Sequence, residues 1–136
     1  MKRFDVQAIE MQMSAARAFD YIADSRHLPE WTSAFAAVDA KGQARLHTPQ
    51  GEVEIGLVVH ASPGAGTIDW EMTFPDGSRG TAFSRLVPLD ERRCVYTFVL
   101  TPPPVPLENL EGALEAQSKT LAEELTRLRG ILECHG

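Results

Sequence analysis

Four histidines, His27, His47, His60 and His135, are the side chains of this 136-residue chain best suited to moving protons near neutral pH. Their settings argue against that use. His60 alternates in phase with Glu52 and Glu54 and opposite Val53, Ile55, Leu57 and Val59, so it is expected on a solvated strand face. His47 shares its phase with Arg45 and is expected to be exposed, and His135 falls in the C-terminal tail. His27 lies close to Trp31 in a short helical corner. Asp69 and Glu71, two residues apart, share one strand face, as a carboxylate pair for acid–base work requires. That face opposes Trp70 and Met72, which makes it the expected polar outer surface.

Other chemistry is poorly supplied. Histidines and carboxylates show no H-E-x-x-H or related ligand spacing, and Cys94 and Cys134 add no metal pattern, so neither a metal nor a cofactor is expected. Two cysteines are too few for a disulfide-framed scaffold and are expected as free thiols. There is no nucleophile elbow and no phosphate-cradling loop: Gly64-Ala65-Gly66 leads into a strand and reads as a hairpin connection. No residue can be named as catalytic.

The elements that would position these residues follow from periodicity. From Phe4 to Met13 the chain alternates, with Phe4, Val6 and Ala8 in one phase and Ile9, Met11 and Met13 in the other; the switch predicts a long strand with a bulge or bend. Ser14 stands where a helix N-cap belongs, ahead of Ala15 to Ala23, whose Ala15, Phe19 and Ile22 share a face. A second short helical turn, Arg26 to Trp31, is limited by Pro29. Turn signals at Lys41-Gly42, Pro49-Gln50-Gly51, Pro63 to Gly66, Pro75-Asp76-Gly77 and Asp90-Glu91-Arg92 then divide a hairpin meander. Within it, Val53, Ile55, Leu57 and Val59 form one apolar face and Ile68, Trp70, Met72 and Phe74 another.

The proline run from Pro102 to Pro106 cannot continue a strand and marks a boundary. Beyond it, Leu107, Leu110, Leu114, Leu121, Leu125, Leu128 and Leu132 recur at three- and four-residue steps, predicting a helix about 40 Å long at 1.5 Å per residue. Where the series skips a leucine, Gln117 and Ser118 stand instead. They form either one polar turn beside solvent or a polar spot on a cavity wall.

Bulk properties exclude several partners. A chain of this length fits one domain, 1–136, with a real core, and 43% hydrophobic and 24% charged residues are ordinary for a globular fold. A net charge of −6 has the wrong sign for nucleic acid. The longest apolar stretches stop far short of the roughly 20 residues a membrane helix needs, so no transmembrane segment is expected. The N-terminus lacks an apolar signal core, and the expected location is the cytoplasm.

The order strand, two short helices, six-strand meander and long C-terminal helix resembles the START-like helix-grip superfamily (SRPBCC-type), which includes polyketide cyclase/dehydrase and lipid-transport families. The resemblance rests on Ser14 to Asp24, on His27-Leu28-Pro29-Glu30-Trp31, on Trp70 to Phe74 and on the leucine-rich terminal helix. It implies an α+β fold, a curved seven-stranded antiparallel sheet around the long helix, with a cavity between them. It also places His27 near the pocket mouth. The expected ligand-binding set is Trp31, Trp70, Met72, Phe74, Phe83, Gln117, Ser118 and Leu121, because large aromatic surface and a flexible thioether suit an apolar ligand of variable shape. In the 79–86 stretch, Arg79, Thr81, Phe83 and Arg85 share one face and Gly80, Ala82, Ser84 and Leu86 the other. Either could point inward: the first would let an arginine meet an acidic ligand, and the second would enlarge the cavity.

Three functions compete. The first is binding of a small hydrophobic molecule, such as a lipid, a polyketide-like aromatic or an isoprenoid, as carrier or sensor. The second is a polyketide cyclase- or dehydratase-type enzyme in which polar pocket residues steer protons. The third is a protein-interaction module of the co-chaperone type, which would show a solid core and a large exposed apolar patch. A homodimer is open to any of them.

Overall fold

The computed structural model describes residues 4–48, 51–101 and 110–135. The 49–50 turn, the 102–106 prolines and Leu107 lie outside the described residues, as do the side chains of Leu110, Leu114 and His135. Seven strands form a single antiparallel sheet: β1 (Asp5–Met11), β2 (Phe35–Val38), β3 (Gln43–Thr48), β4 (Gly51–Ser62), β5 (Thr67–Thr73), β6 (Arg79–Asp90) and β7 (Arg93–Leu100). Their order is β1-β7-β6-β5-β4-β3-β2, a meander from β2 to β7 with β1 added beside β7. Two short helices, α1 (Ala15–Ile22) and α2 (Leu28–Trp31), follow β1, and α3 (Leu110–His135) closes the described chain.

Local chemistry sets the boundaries. Ser14 is extended, and its side chain accepts the Arg17 backbone N–H, supplying one of the partners a helix start lacks. Asp24 does the same for the 3-10 turn Ser25–His27 that runs into α2, accepting the Arg26 N–H at 3.1 Å. Pro29 sits in the first turn of α2, where a missing N–H costs nothing. At the β4–β5 turn Gly66 has φ +75°, and a Cβ there would lie 2.3 Å from the Leu86 carbonyl oxygen, so only glycine lets this turn close against β6.

The core sits between the inner sheet face and the helices. Ile55 and Leu57 of β4, Ile68 and Trp70 of β5, Leu86 of β6 and Tyr96 of β7 are buried there with Phe19 and Ile22 of α1. Leu121, Leu125, Leu128 and Leu132 bury the α3 stripe, each leucine contributing about 1.5–3 kcal/mol by leaving water. On β6 the small-residue face turns inward: Ser84 and Leu86 are buried while Phe83 is 45% exposed.

One expectation is corrected. β1 carries no bulge: it pairs without interruption from Asp5 opposite Leu100 to Met11 opposite Cys94. Phe4, Val6 and Ala8 therefore face outward and Asp5 and Gln7 inward. The inward polar pair meets the polar gap of α3, where Gln7 Nε2 donates to the Ser118 carbonyl and hydroxyl oxygens, each at 3.1 Å, and to Asp5 at 2.9 Å. Ser118 Oγ in turn donates to the Asp5 carboxylate. A polar face buried against polar partners needs no bulge to turn it outward.

Candidate binding cavity

The residues that end up inside are largely aromatic. Trp31 at the end of α2, Trp70 on β5, and Tyr96 and Phe98 on β7 form a cluster with ring centroids 6.1–6.4 Å apart. Trp31 and Phe98 each meet Tyr96 edge to face, and Trp70 stacks on Phe98 at 24°. Strand alternation explains the set: Trp70 and Met72 lie one step apart on the inner face of β5, and Tyr96 and Phe98 on that of β7. Trp31 arrives from the other side because α3 clamps the end of α2. Arg127 Nη1 donates to the Trp31 carbonyl at 3.4 Å, and Glu124, one helical turn earlier, accepts the Ser33 N–H at 2.5 Å.

Between these elements lies a cavity of about 140 Å³, open on one side. Trp31, Trp70, Met72, Ala82, Phe98 and Leu121 make its apolar wall. Leu28, Thr32, Ala34, Phe35 and Glu124 surround the rest. A broader cleft of about 320 Å³ runs between α1 and the β4–β5 turn. Its Arg85 already donates to the Ala65 carbonyl at 3.1 Å, and Trp31, Trp70, Tyr96 and Phe98 do not line it.

The electrostatics of the inner cavity are unusual in one respect. Among the described residues, the Trp31 and Trp70 indole N–H groups and the Tyr96 hydroxyl are buried without a hydrogen-bond partner. Tyr96 lies beside Ser84 without reaching hydrogen-bond geometry; burial drives its pKa upward, Ser84 opposing and the Asp69 charge adding. Ser84 itself donates to the Ile68 carbonyl at 2.6 Å. Glu124 is half-buried, and burial raises its pKa above the ordinary carboxylate range, with Glu123 adding and the Ser33 N–H and Arg127 opposing.

The expected ligand-binding residues divide. Trp31, Trp70, Met72 and Leu121 come together on the cavity wall. Phe74 is half-buried beside Gly80 but does not line it. Phe83 does not line it either, because the small-residue face of β6 is the inner one. Gln117 is exposed, and Ser118 is committed to Gln7 and Asp5, so the polar gap in the leucine stripe is a contact with β1 and not part of this wall. Glu124 escaped the sequence reading although it stands three residues after Leu121, on the edge of the same stripe. Phe98 escaped it too, although Cys94, Tyr96, Phe98 and Leu100 alternate as inner residues do.

The other candidates have ordinary roles. His27 Nδ1 lies 2.8 Å from the Tyr21 carbonyl oxygen with its ring stacked on Tyr21, outside the cavity lining. His60 is exposed and pairs with Glu71 at 3.1 Å, and His47 is exposed. Asp69 accepts the Ser84 N–H at 3.3 Å. Among the described residues no group of three or more His, Cys, Asp or Glu could hold a metal ion, and both cysteines are free.

No family model matches the sequence, and no curated protein matches it. Solved structures do. A START superfamily protein from Mycobacterium smegmatis superposes with a TM-score of 0.69 at 17% identity, over 99% of this chain and 100% of that one. The Zhui aromatase/cyclase from Streptomyces sp. R1128 gives 0.65 at 14% identity, over 96% and 93%. This chain has the START-like helix-grip fold. The di-domain aromatase/cyclase BexL of the BE-7585A biosynthetic pathway gives 0.71 at 13% identity, with 97% of this chain covering 47% of that one. START-like proteins of such low identity share a backbone, and the cavity side chains of this chain must be read from its own residues. Among the described residues no helix is long and apolar enough to cross a membrane.

Proposed function

We propose that this protein binds a small hydrophobic molecule, a lipid, polyketide-like aromatic or isoprenoid, as a carrier or sensor in the cytoplasm. The observation that supports this most is the pocket: Trp31, Trp70, Met72, Phe98 and Leu121 line about 140 Å³ of space at the edge of an aromatic cluster inside a START-like fold. Native mass spectrometry of freshly purified protein is expected to show a mass increment that organic extraction removes. A chain that is always empty, and from which no environment-sensitive hydrophobic dye is displaced, would falsify the reading.

A second reading, a cyclase- or dehydratase-type enzyme, is favoured by Glu124, a carboxyl on the cavity wall whose pKa is raised by burial. Such a base would abstract a proton α to a carbonyl. Its activity would rise with pH as Glu124 ionises above the ordinary carboxylate range. In D2O, a bound methyl ketone should then exchange its α-hydrogens faster with the parent protein than with Glu124→Gln. Equal rates remove this reading and leave the carrier intact.

A further inference from the structure

The polar groups that the cavity lining can offer an occupant are all of one kind. Trp31 and Trp70 keep their indole nitrogens buried, so neither presents its N–H to the open space. The Thr32 hydroxyl commits its hydrogen to the Leu28 carbonyl at 2.7 Å and keeps lone pairs. Glu124 accepts the Ser33 N–H on Oε2 at 2.5 Å, and its Oε1 has no partner among the described residues. Backbone acceptors of the lining are already engaged: the Leu28 carbonyl takes both the N–H and the hydroxyl of Thr32, the Trp31 carbonyl takes Arg127, and the Ala34 carbonyl takes the His47 N–H at 2.7 Å. Met72, Ala82, Phe98 and Leu121 add no polar side chain, apart from the weak thioether acceptor of Met72. The lining therefore has acceptors to spare, and the strongest is a carboxylate.

That carboxylate sits where a donor is most useful to it. Glu124 is half-buried three residues after Leu121, and no described Lys, Arg or His forms an ion pair with it. Arg127, one turn on, gives its Nη1 to the Trp31 carbonyl instead. Burial raises the Glu124 pKa, as it does for an ionised group short of partners. Hydrogen bonds to an ionised acceptor are roughly twice as strong as those between neutral groups. Water can donate to this oxygen too, yet only a molecule with an apolar body also covers Trp31, Trp70, Met72 and Phe98. Size narrows the body: a dry apolar cavity of roughly 150 Å³ takes one benzene ring, and this cavity is about 140 Å³ with one open side.

We propose that the occupant is a one-ring-sized apolar molecule bearing an O–H or N–H donor, a phenol, alcohol or amine, docked with that donor on the free carboxylate oxygen of Glu124. This rests on the ligand-binding reading and narrows it, setting aside pure hydrocarbons and molecules whose oxygens only accept, such as ethers and esters, as the main occupant. It asks no proton transfer of Glu124 and so stands apart from the cyclase-type reading.

The full chain is titrated with p-cresol and, separately, with p-xylene, which has the same outline with a methyl group in place of the hydroxyl. The Met72 and Leu121 methyl signals report entry into the cavity. A purely apolar pocket would take p-xylene about tenfold more tightly, because the cresol hydroxyl loses its water without a replacement. Here p-cresol is expected to bind at least as tightly as p-xylene. Glu124→Gln keeps the length of the side chain and an oxygen for the Ser33 N–H but removes the charge. It should weaken p-cresol about threefold to tenfold and leave p-xylene unchanged. A pH series supplies a second measure that needs no substitution, since Glu124 alone among the lining residues titrates between about pH 4 and pH 8. The charged groups acting on it are Glu123 and Arg127 of its own helix, and the segment between α2 and β2 presents it with the Ser33 N–H. Affinity for p-cresol should rise as Glu124 ionises, above the ordinary carboxylate range, and affinity for p-xylene should not. If both probes perturb the methyl signals but p-xylene binds about tenfold tighter, or if Glu124→Gln and pH act on both probes alike, the donor proposal is overturned and the cavity reading stands. If neither probe perturbs those signals, the cavity reading falls and takes the proposal with it.

Discussion

Two sets of inward polar groups among the described residues are treated in opposite ways. At one, Asp5, Gln7 and Ser118 form a connected set in which the Gln7 amide donates to both partners and the Ser118 hydroxyl donates to Asp5. At the other, the Trp31 and Trp70 indole N–H groups and the Tyr96 hydroxyl are buried without a hydrogen-bond partner among the described residues. The first arrangement is complete in itself, so its work is structural: it fixes how β1 meets α3. The second is incomplete among the described residues. A sheet–helix interface that carries both shows that inward polar residues alone do not mark a binding site.

This contrast can be broken by substitution. Gln7→Met keeps the volume and removes the amide, leaving the Ser118 carbonyl and one Asp5 oxygen without that donor. It should cost about 1–3 kcal/mol in urea unfolding and leave binding of hydrophobic probes unchanged. A loss of probe affinity at unaltered stability would move the binding site to the β1–α3 contact. Tyr96→Phe is the opposite case. Deleting a hydroxyl that has no partner should change stability by less than about 0.5 kcal/mol, or raise it slightly, because a desolvation cost disappears with no hydrogen bond lost. A loss above about 1 kcal/mol would show that the hydroxyl is already satisfied, and the line between the two regions would have to be redrawn.

Much of the architecture is legible in local sequence. The N-cap at Ser14, the glycine turns of the meander and the leucine stripe through Leu132 each act within a few residues, so periodicity and turn chemistry reveal them. The inward placement of Trp31, Trp70, Met72 and Leu121 is legible for a similar reason: each is a large apolar side chain in an element whose periodicity separates an inner from an outer face. The two faces of β6 were not separable, because arginine with phenylalanine on one side and glycine with leucine on the other both mix burial signals. Phe83 follows from that ambiguity and lies outside, 45% exposed.

Exposed apolar residues gather on the outer side of β1 and β6, with Phe4 55%, Val6 52% and Leu89 51% exposed. Val6 and Phe83 stand on either side of Val99 in the pairing. These positions explain the outward phase of β1 that local alternation reads as a bulge.

By itself, the sequence determines the kinds of element, their order and which large apolar residues turn inward, because those depend on neighbours one to four positions away. Tertiary structure alone decides the pairings. Gln7 meets Ser118 across 111 residues, Ser33 meets Glu124 across 91, and the indole N–H groups of Trp31 and Trp70 are left without an acceptor among the described residues. Whether a buried polar group is satisfied depends on atoms brought from distant parts of the chain, and no local periodicity carries that information.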